Sequence, residues 1–291
     1  MEAGQAGAEI AAGVRYLELE LESYLPLGGI DPPVRHPLSF ALPADGEVFL
    51  CDRPEGGSVR LVRVRQGPEE VSLPGDFHPR LVADDDEGRV LVAGLGREHN
   101  ALLLTTEGEV VRQYQLGDGI ADLCYDQDGN LLVLRSVRRA GRPLLDRYGP
   151  EGDHVDKDEQ IQRIMGHTSR AAGRMLVVQR DGTLWLDLAE KYDVDGALLD
   201  VVEPAEIFGP GQITADRFGW DGIVAMSERG TLTAMLPLGR RRSFRLPEEA
   251  VKAALGRPLS AEHDLLATRG ERLVVVASDR PAVATFRMLS E

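Results

Sequence analysis

Short apolar runs, each preceded by a glycine, recur along the chain and predict repeated β-structure. The first three of these glycines, at positions 46, 88 and 129, lie 42 and 41 residues apart. Later copies follow glycines 173, 222 and 270 at longer spacings, which indicates inserted loops. Each run is followed by a second half-apolar hairpin, so a unit holds about four short strands in about 40–50 residues. That period is typical of a β-propeller blade.

The pattern divides the chain into six units, at 36–76, 77–118, 119–160, 161–207, 208–250 and 259–291. The last unit has only three strands. Residues 14–22 alternate apolar and acidic side chains with period two, as a strand with one wet face does. We therefore predict an all-β, six-bladed propeller whose ring closes when 14–22 pairs with 282–289, which removes two sheet edges. A free N-terminal hairpin or an amphipathic extension is the alternative.

One segment departs from the β pattern. Residues 247–255 begin with proline and acidic residues and are followed by Gly256, which predicts a short helix between blades five and six. Residues 1–13 are small and polar and are expected to form a disordered tail. The rest, 14–291, is expected to be one propeller domain, because the repeated period disfavours the alternative of two β-sandwiches.

The run Asp126-Gln-Asp-Gly-Asn-Leu-Leu-Val133 resembles the repeat of NHL and SMP-30/gluconolactonase-like six-bladed propellers. In SMP-30-like hydrolases, the resemblance implies, Glu, Asn and Asp side chains hold a divalent metal over the channel. The first inner strand here, 37–42, lacks a carboxylate and departs from that pattern. Carboxylates do fall on or near later inner strands, at Asp122, Asp216, Glu262 and Asp264. A metal-dependent hydrolase or lactonase acting at the channel mouth is therefore the alternative function.

No zinc helix, Cys-x-x-Cys pair, nucleophile elbow or phosphate-binding loop is present, so no catalytic residue is assigned. The acidic turn at Asp126 lacks the glutamate of a calcium loop and predicts a hairpin turn. Four histidines are expected near the channel mouth, on inner strands or just before them. Imidazoles from several blades suit a zinc or iron site, but loop capping by His-Pro and local hydrogen bonds are the favoured explanation, and we assign neither metal nor cofactor. They are His36, His78, His167 and His263.

Each unit also carries an arginine between its two middle strands. Propeller topology puts these loops at one face, where guanidinium groups favour phosphates, carboxylates and acidic peptides. Pairing with neighbouring acids is the structural alternative. The candidate ligand- or partner-binding residues are Arg53, Arg97, Arg135, Arg180, Arg229 and Arg280.

The charge pattern narrows the function further. With 48 acidic and 33 basic residues the formal charge is −15, which argues against nucleic-acid binding. No apolar run approaches the length of a membrane span and no secretory signal precedes the chain, so we expect a cytoplasmic protein with no membrane contact. Cys51 and Cys124 are expected to be buried packing residues. The sequence favours a non-enzymatic binding platform or adaptor that binds a protein partner or an anionic ligand.

Overall fold

The computed structural model of the protein describes most of the chain. The described residues are 18–43, 47–85, 87–135, 144–155, 158–167, 176–178, 182–186, 190–201, 211–215, 223–227, 232–235, 241–244, 248–259, 264–269, 272–277 and 281–289. They form two compact units. The first unit is Leu27–Ile207, and the second combines Met1–Pro26 with Phe208–Glu291.

Four antiparallel sheets make up the first unit, and in each sheet neighbouring strands are consecutive in the chain. Sheet 1 contains β2 (Pro37–Ala41), β3 (Val48–Asp52), β4 (Arg60–Val64) and β5 (Pro68–Val71). Sheet 2 contains β6 (His78–Asp84), β7 (Val90–Leu95), β8 (Ala101–Leu104) and β9 (Val110–Tyr114). Sheet 3 contains β10 (Ile120–Tyr125), β11 (Leu131–Arg135) and β12 (Leu144–Tyr148), and is followed by the helix α1 (Glu159–His167). Sheet 4 contains β13 (Leu176–Val178), β14 (Leu184–Leu186), β15 (Glu190–Tyr192) and β16 (Leu198–Val201).

The second unit holds two further four-stranded sheets and a helix. Sheet 5 contains β17 (Gly211–Ala215), β18 (Ile223–Ser227), β19 (Leu232–Met235) and β20 (Arg241–Phe244). Sheet 6 has the order β1 (Glu18–Pro26), β23 (Ala282–Leu289), β22 (Arg272–Ala277) and β21 (Asp264–Arg269). The helix α2 (Glu248–Leu255) lies between the two sheets in sequence, where the helix was predicted.

The predicted pairing of the N-terminal strand with the C-terminal strand is confirmed. β1 runs antiparallel to β23, from Glu18 opposite Leu289 to Pro26 opposite Ala282. The strand occupies Glu18–Pro26, somewhat later than the predicted 14–22, of which 14–17 lie outside the described residues. Leu19 is buried against α2 and the β22 strand, as predicted, but Leu21 is 39% exposed, so the predicted apolar face reaches the core only at Leu19 among the described residues.

The prediction of a six-bladed propeller is wrong in the number of complete blades, which is five among the described residues. Five sheets have four strands, but sheet 3 has three among the described residues. The helix α1 stands in the place of the fourth strand. The close contacts of the turn glycines show this difference. A Cβ on Gly108 would lie 2.7 Å from Val71 and one on Gly152 would lie 2.7 Å from Tyr114, both in the outer strand of the preceding sheet. A Cβ on Gly196 of sheet 4 would instead lie 2.5 Å from the carbonyl of Gln160 in α1.

The helix α1 also changes the strand assignment in the fourth sequence repeat, residues 161–207. Asp158 caps it through a 2.9 Å hydrogen bond from the Ile161 N–H, and Ile161 and Ile164 are buried on one face. His167, predicted to lie on an inner strand, is instead the exposed last residue of this helix. The innermost strand of sheet 4 is β13, which was predicted to be the second strand.

The core lies between neighbouring sheets. The second strands β3 and β11 are buried at every position. The two faces of β11 pack against sheet 2, through Leu131 and Val133, and against sheet 4, through Leu132 and Leu134. Cys51, in β3, belongs to the core between sheets 1 and 2, and burial raises the pKa of its thiol to about 12. Both cysteines are buried, as predicted, and neither forms a disulfide. Neither described helix is long and apolar enough to span a membrane.

The acidic turns close hairpins, as predicted. In the turn at Asp126, the Gly129 N–H donates to the Asp126 carbonyl, and the Asp126 carboxylate accepts the Asn130 N–H at 2.8 Å. The same arrangement recurs at Asp85 and Asp193, and with a hydroxyl at Thr105. Gly129 has a φ of 77°, a left-handed conformation that glycine adopts without steric cost.

Candidate functional site

The predicted binding loops lie at the end of sheets 1–3 where the innermost strands β2, β6 and β10 begin. We call this the loop end. In each of these strands one residue bulges out of register with the second strand. A bulge re-aims its side chain, and here the bulged residues are Leu38, Arg80 and Ala121. Leu38 and Arg80 are exposed.

Arginines at the loop end differ from the other described arginines in their partners. Arg35, Arg53, Arg80 and Arg97 are exposed, and their guanidinium groups make no ion pair or hydrogen bond within the described ranges. Eleven other arginines each contact a carboxylate. These are Arg60, Arg63, Arg65, Arg89, Arg112, Arg135, Arg147, Arg163, Arg257, Arg272 and Arg287.

Hydrogen bonds connect the segments that carry the unpaired arginines to neighbouring segments at the loop end. The Arg53 N–H donates to the carbonyl of His36, next to Arg35, at 3.2 Å, and the Arg80 carbonyl accepts a 3.4 Å hydrogen bond from the Ser39 hydroxyl of sheet 1. The Arg97 N–H donates to the Asp76 carboxylate in the loop that leads into β6. The exposed Leu38, in β2, and Leu95, the last residue of β7, lie at the same end of these sheets. The loop end of sheets 1 and 2 therefore combines free cations with apolar side chains.

The predicted arginines have different fates. Arg53 and Arg97 are exposed and unpaired, as a binding role requires. Arg135 is only 8% exposed and binds Asp146, so it does not present its charge at the surface. Three predicted residues lie outside the described residues: Arg180, Arg229 and Arg280. Sequence reasoning missed Arg35 and Arg80, which are not between middle strands but beside the start of an inner strand.

Two of the predicted histidines occupy equivalent places. His36 immediately precedes β2 and His78 begins β6, and both are exposed. The His36 backbone is held in place, because its N–H donates to the buried Asp52 carboxylate at 2.9 Å. His167 lies on α1, away from the inner strands, and His263 lies outside the described residues.

Carboxylates on the inner strands serve structural contacts. The Asp122 carboxylate accepts the Leu123 and Leu176 N–H groups, and the second of these contacts joins sheet 3 to sheet 4. Asp264 is buried in a bidentate ion pair with Arg257, at 2.6 and 2.9 Å. Asp216 and Glu262 lie outside the described residues. Among the described residues no group of three or more His, Cys, Asp or Glu side chains is arranged to hold a metal ion.

A cleft of about 120 Å³ opens at the loop end between sheets 2 and 3. Arg80 and Leu81 of β6, the glycine-rich segment 94–96 and residues 117–120 line it. Neighbouring inner strands elsewhere in this unit are joined by a side chain: the Ser39 hydroxyl accepts the Val82 N–H, and Asp122 accepts the Leu176 N–H. The equivalent position of sheet 2, one residue after the bulge, is the apolar Leu81, which makes no such bridge.

The segment 116–119, which forms one wall of the cleft, is fixed by three side chains, one from sheet 2 and two from sheet 3. Asn100, 7% exposed, donates to the Gly117 carbonyl and accepts the Leu116 N–H at 2.7 Å. Arg135 donates to the carbonyls of Leu116 and Asp118, and the Tyr148 hydroxyl donates to Leu116 as well. Burial raises the pKa of Tyr148, so this hydroxyl keeps its proton. The sequence offered only a weak signal for Asn100, because asparagine in a loop usually indicates a turn.

Comparison with known proteins defines the fold. No protein-family profile matches the sequence, and no curated protein sequence matches it significantly. The WD40 propeller domain of Doa1 superposes with a TM-score of 0.53 and 15% identity over 94% of this chain and 98% of that domain. XC5397, a gluconolactonase from Xanthomonas campestris, superposes with a TM-score of 0.53 and 14% sequence identity over 88% of this chain and 87% of that protein. YCF48, bound to a D1 peptide, superposes with a TM-score of 0.50 and 11% sequence identity over 88% of this chain and 79% of that protein.

The chain is an all-β propeller. At these identities the likeness concerns the fold and not the activity. The resemblance to NHL and SMP-30-like propellers is thus confirmed at the level of the propeller fold alone.

Proposed function

We propose that this propeller is a non-enzymatic binding platform whose loop end recognises an acidic segment of a protein partner. The observation that carries the proposal is the set of four unpaired arginines, Arg35, Arg53, Arg80 and Arg97, on a chain whose formal charge is −15. Eleven other described arginines are neutralised by nearby carboxylates. Guanidinium groups kept free on adjacent loops favour a ligand that brings its own negative charge.

The exposed leucines favour a protein partner over a free ion. Leu38 is 41% exposed and Leu95 is 51% exposed, and both lie among the arginines. Burying apolar side chains stabilises association, while charge complementarity orients the partner and speeds its encounter. YCF48, one of the similar propellers, is seen with a bound peptide. We place this activity in the cytoplasm, since cysteines that form no disulfide are typical of reducing compartments.

Replacing Arg53 and Arg97 together by Ala should weaken partner binding at least tenfold at low salt and much less at high salt. Exposed charges interact over a screening length of about 8–10 Å at physiological ionic strength, so the loss should shrink as salt rises. The measurement is a quantitative pull-down followed by titration with the recovered partner. The matched control is Arg163→Ala with Lys252→Ala, which removes the same charge from exposed helical positions.

Both double variants should melt within a few degrees of the original protein, because exposed substitutions rarely change stability by more than about 0.5 kcal/mol. Equal recovery of the same partners by the two double variants contradicts the proposal. So does a loss of binding that is independent of salt.

Metal content distinguishes this platform from the alternative, a metal-dependent hydrolase of the SMP-30 type. Protein purified without chelators should contain well below one equivalent of zinc, iron or calcium by elemental analysis, because the described carboxylates of the inner strands are engaged in structural contacts. One tightly held equivalent that survives dialysis reverses the order of the two functions. The residues to test next are then His36 and His78.

A further inference from the structure

We infer that the cleft between sheets 2 and 3 is a carboxylate-binding subsite that receives one Asp or Glu side chain of the partner. This inference rests on the proposed function and assigns the chemistry of one part of the loop end. Its donors are the Arg80 guanidinium on one wall and backbone N–H groups of the segment 117–119 on the other.

The backbone donors are oriented by the contacts of their own peptide planes. In a trans peptide the C=O and the following N–H point in opposite directions. The carbonyls of Leu116 and Asp118 both accept from Arg135 of sheet 3, so the N–H groups of Gly117 and Gly119 point away from Arg135. Neither N–H has an acceptor within the ranges that the structure describes.

Glycine is what this geometry needs at both positions. Gly117 and Gly119 have φ values of 74° and 77°, and the Arg135 guanidinium lies 3.5 Å from the position that a Gly117 Cβ takes. The buried cation behind the peptide planes also polarises them, because a charged donor at a carbonyl strengthens the hydrogen bond made by the attached N–H. The wall is therefore a preorganised pair of donors held by Asn100, Arg135 and Tyr148.

Arg80 supplies the charge on the opposite wall. As the bulged residue of β6 it is exposed, and its carbonyl is held by the Ser39 hydroxyl, so its backbone is fixed while its guanidinium stays free. A planar fork of N–H donors matches a carboxylate. Asp118 is the acidic residue that faces Arg80 across the cleft, and its carboxylate is exposed. Among the described residues no other acid lines the cleft.

Size and charge select the ligand. A volume of about 120 Å³ is below the roughly 300–1,000 Å³ of pockets that enclose a metabolite or cofactor, and at about 30 Å³ each it holds about four water molecules. The cleft therefore has room for a side-chain carboxylate. The Asp118 carboxylate repels a dianionic phosphate more than it repels a singly charged carboxylate. The exposed Leu95 at the rim provides a contact for an apolar neighbour of the acidic residue.

The test uses the full-length protein and the probe acetyl-Leu-Glu-Leu-amide, with the Gln and phosphoserine peptides of the same frame as matched ligands. Titration is followed by the amide resonances of Gly117 and Gly119 in ¹⁵N-correlated NMR spectra. We expect the Glu peptide to move both resonances downfield and to bind at least tenfold more tightly than the Gln peptide. The phosphoserine peptide should bind more weakly than the Glu peptide.

Three variants locate the site. Arg80→Gln should reduce the affinity for the Glu peptide at least tenfold, Asp118→Asn should increase it severalfold, and Arg163→Gln should leave it unchanged. Equal affinities for the Glu and Gln peptides overturn the inference, and so does an Arg80→Gln variant that binds the Glu peptide normally. If the phosphoserine peptide binds more tightly than the Glu peptide, the inference of a carboxylate ligand is overturned in favour of a phosphate ligand.

The outcome is separable from that of the proposed function. A Glu-specific response that needs Arg80, in a protein whose partner binding ignores Arg53 and Arg97, supports the subsite and contradicts the wider arginine surface. Partner binding that needs Arg53 and Arg97 without any response at Gly117 and Gly119 does the reverse.

Discussion

Deletion of residues 1–26 should lower the melting temperature by at least about 10 °C or abolish cooperative unfolding. The deletion removes eight paired positions between β1 and β23 and leaves β23 as an open edge. It also removes the buried Leu19 and the Glu22 carboxylate that bridges Arg272 and Arg287. At about 1 kcal/mol for each backbone hydrogen bond and about 2 kcal/mol for a buried leucine, the loss exceeds about 5 kcal/mol. In a domain of this size each 1 kcal/mol shifts the melting temperature by roughly 2–4 °C.

Deletion of residues 1–13 is the matched control and should leave the melting temperature unchanged, because it spares the whole of β1. A synthetic peptide of residues 14–26, added to the longer deletion, should restore stability by adding a strand to the exposed edge. Identical melting curves for the original protein and the 1–26 deletion contradict the assignment of β1 to sheet 6.

Replacement of Arg135 by Ala should destabilise the protein by about 3–5 kcal/mol, the usual cost of breaking a buried ion pair by removing one partner. The substitution leaves the Asp146 carboxylate without its cation and two loop carbonyls, those of Leu116 and Asp118, without a donor. Arg135→Lys should recover little, because a single ammonium cannot reach acceptors spread around a planar fork. Urea unfolding of each variant measures the effect.

Arg97→Ala provides the contrast, since its guanidinium is exposed and unpaired among the described residues, and its free energy of unfolding should change by less than about 0.5 kcal/mol. An Arg135→Ala protein that unfolds like the original but loses partner binding means that Arg135 contacts the partner and not the scaffold.

The repeated strands were predictable because their signal is local. A turn glycine followed by four or five apolar residues requires only the period of the strand and the chemistry of the turn, and the second strands at Val48, Val90 and Leu131 begin where this pattern indicates. The N-terminal strand was predictable for a related reason, since its alternation fits an edge position that the last unit lacked.

The helix α1 was missed although its signal was present. Asp158 is a good cap, and Ile161 and Ile164 are three residues apart, but the segment follows an acidic stretch that indicates a surface loop. The regular period of the first three units then favoured a strand. A repeat predicts what the next unit should contain, and it gives no warning where one unit replaces a strand by a helix.

The candidate site was predictable only in its residue type. Thirty arginines are spread along the sequence, and position alone does not separate Arg97, exposed and unpaired, from Arg135, buried and paired. The difference arises from contacts distant in sequence, such as that between Arg135 and the Leu116 carbonyl. Arg80 was missed because its exposure comes from a bulge in β6, and a bulge leaves no pattern in hydrophobic periodicity.

The missing bridge at Leu81 affects how the first unit opens. Separating sheet 1 from sheet 2 along their inner strands breaks the contacts of Ser39, and separating sheet 3 from sheet 4 breaks that of Asp122. Between sheets 2 and 3 the tie lies instead at the 116–119 segment, where Asn100 and Arg135 hold the chain. Sheets 2 and 3 are therefore held together at the connecting segment 116–119, while no side-chain hydrogen bond joins their inner strands at Leu81. No side-chain bridge holds the inner strands at this seam. We therefore expect their amide hydrogens to exchange with solvent faster than those of the inner strands that Ser39 and Asp122 bridge.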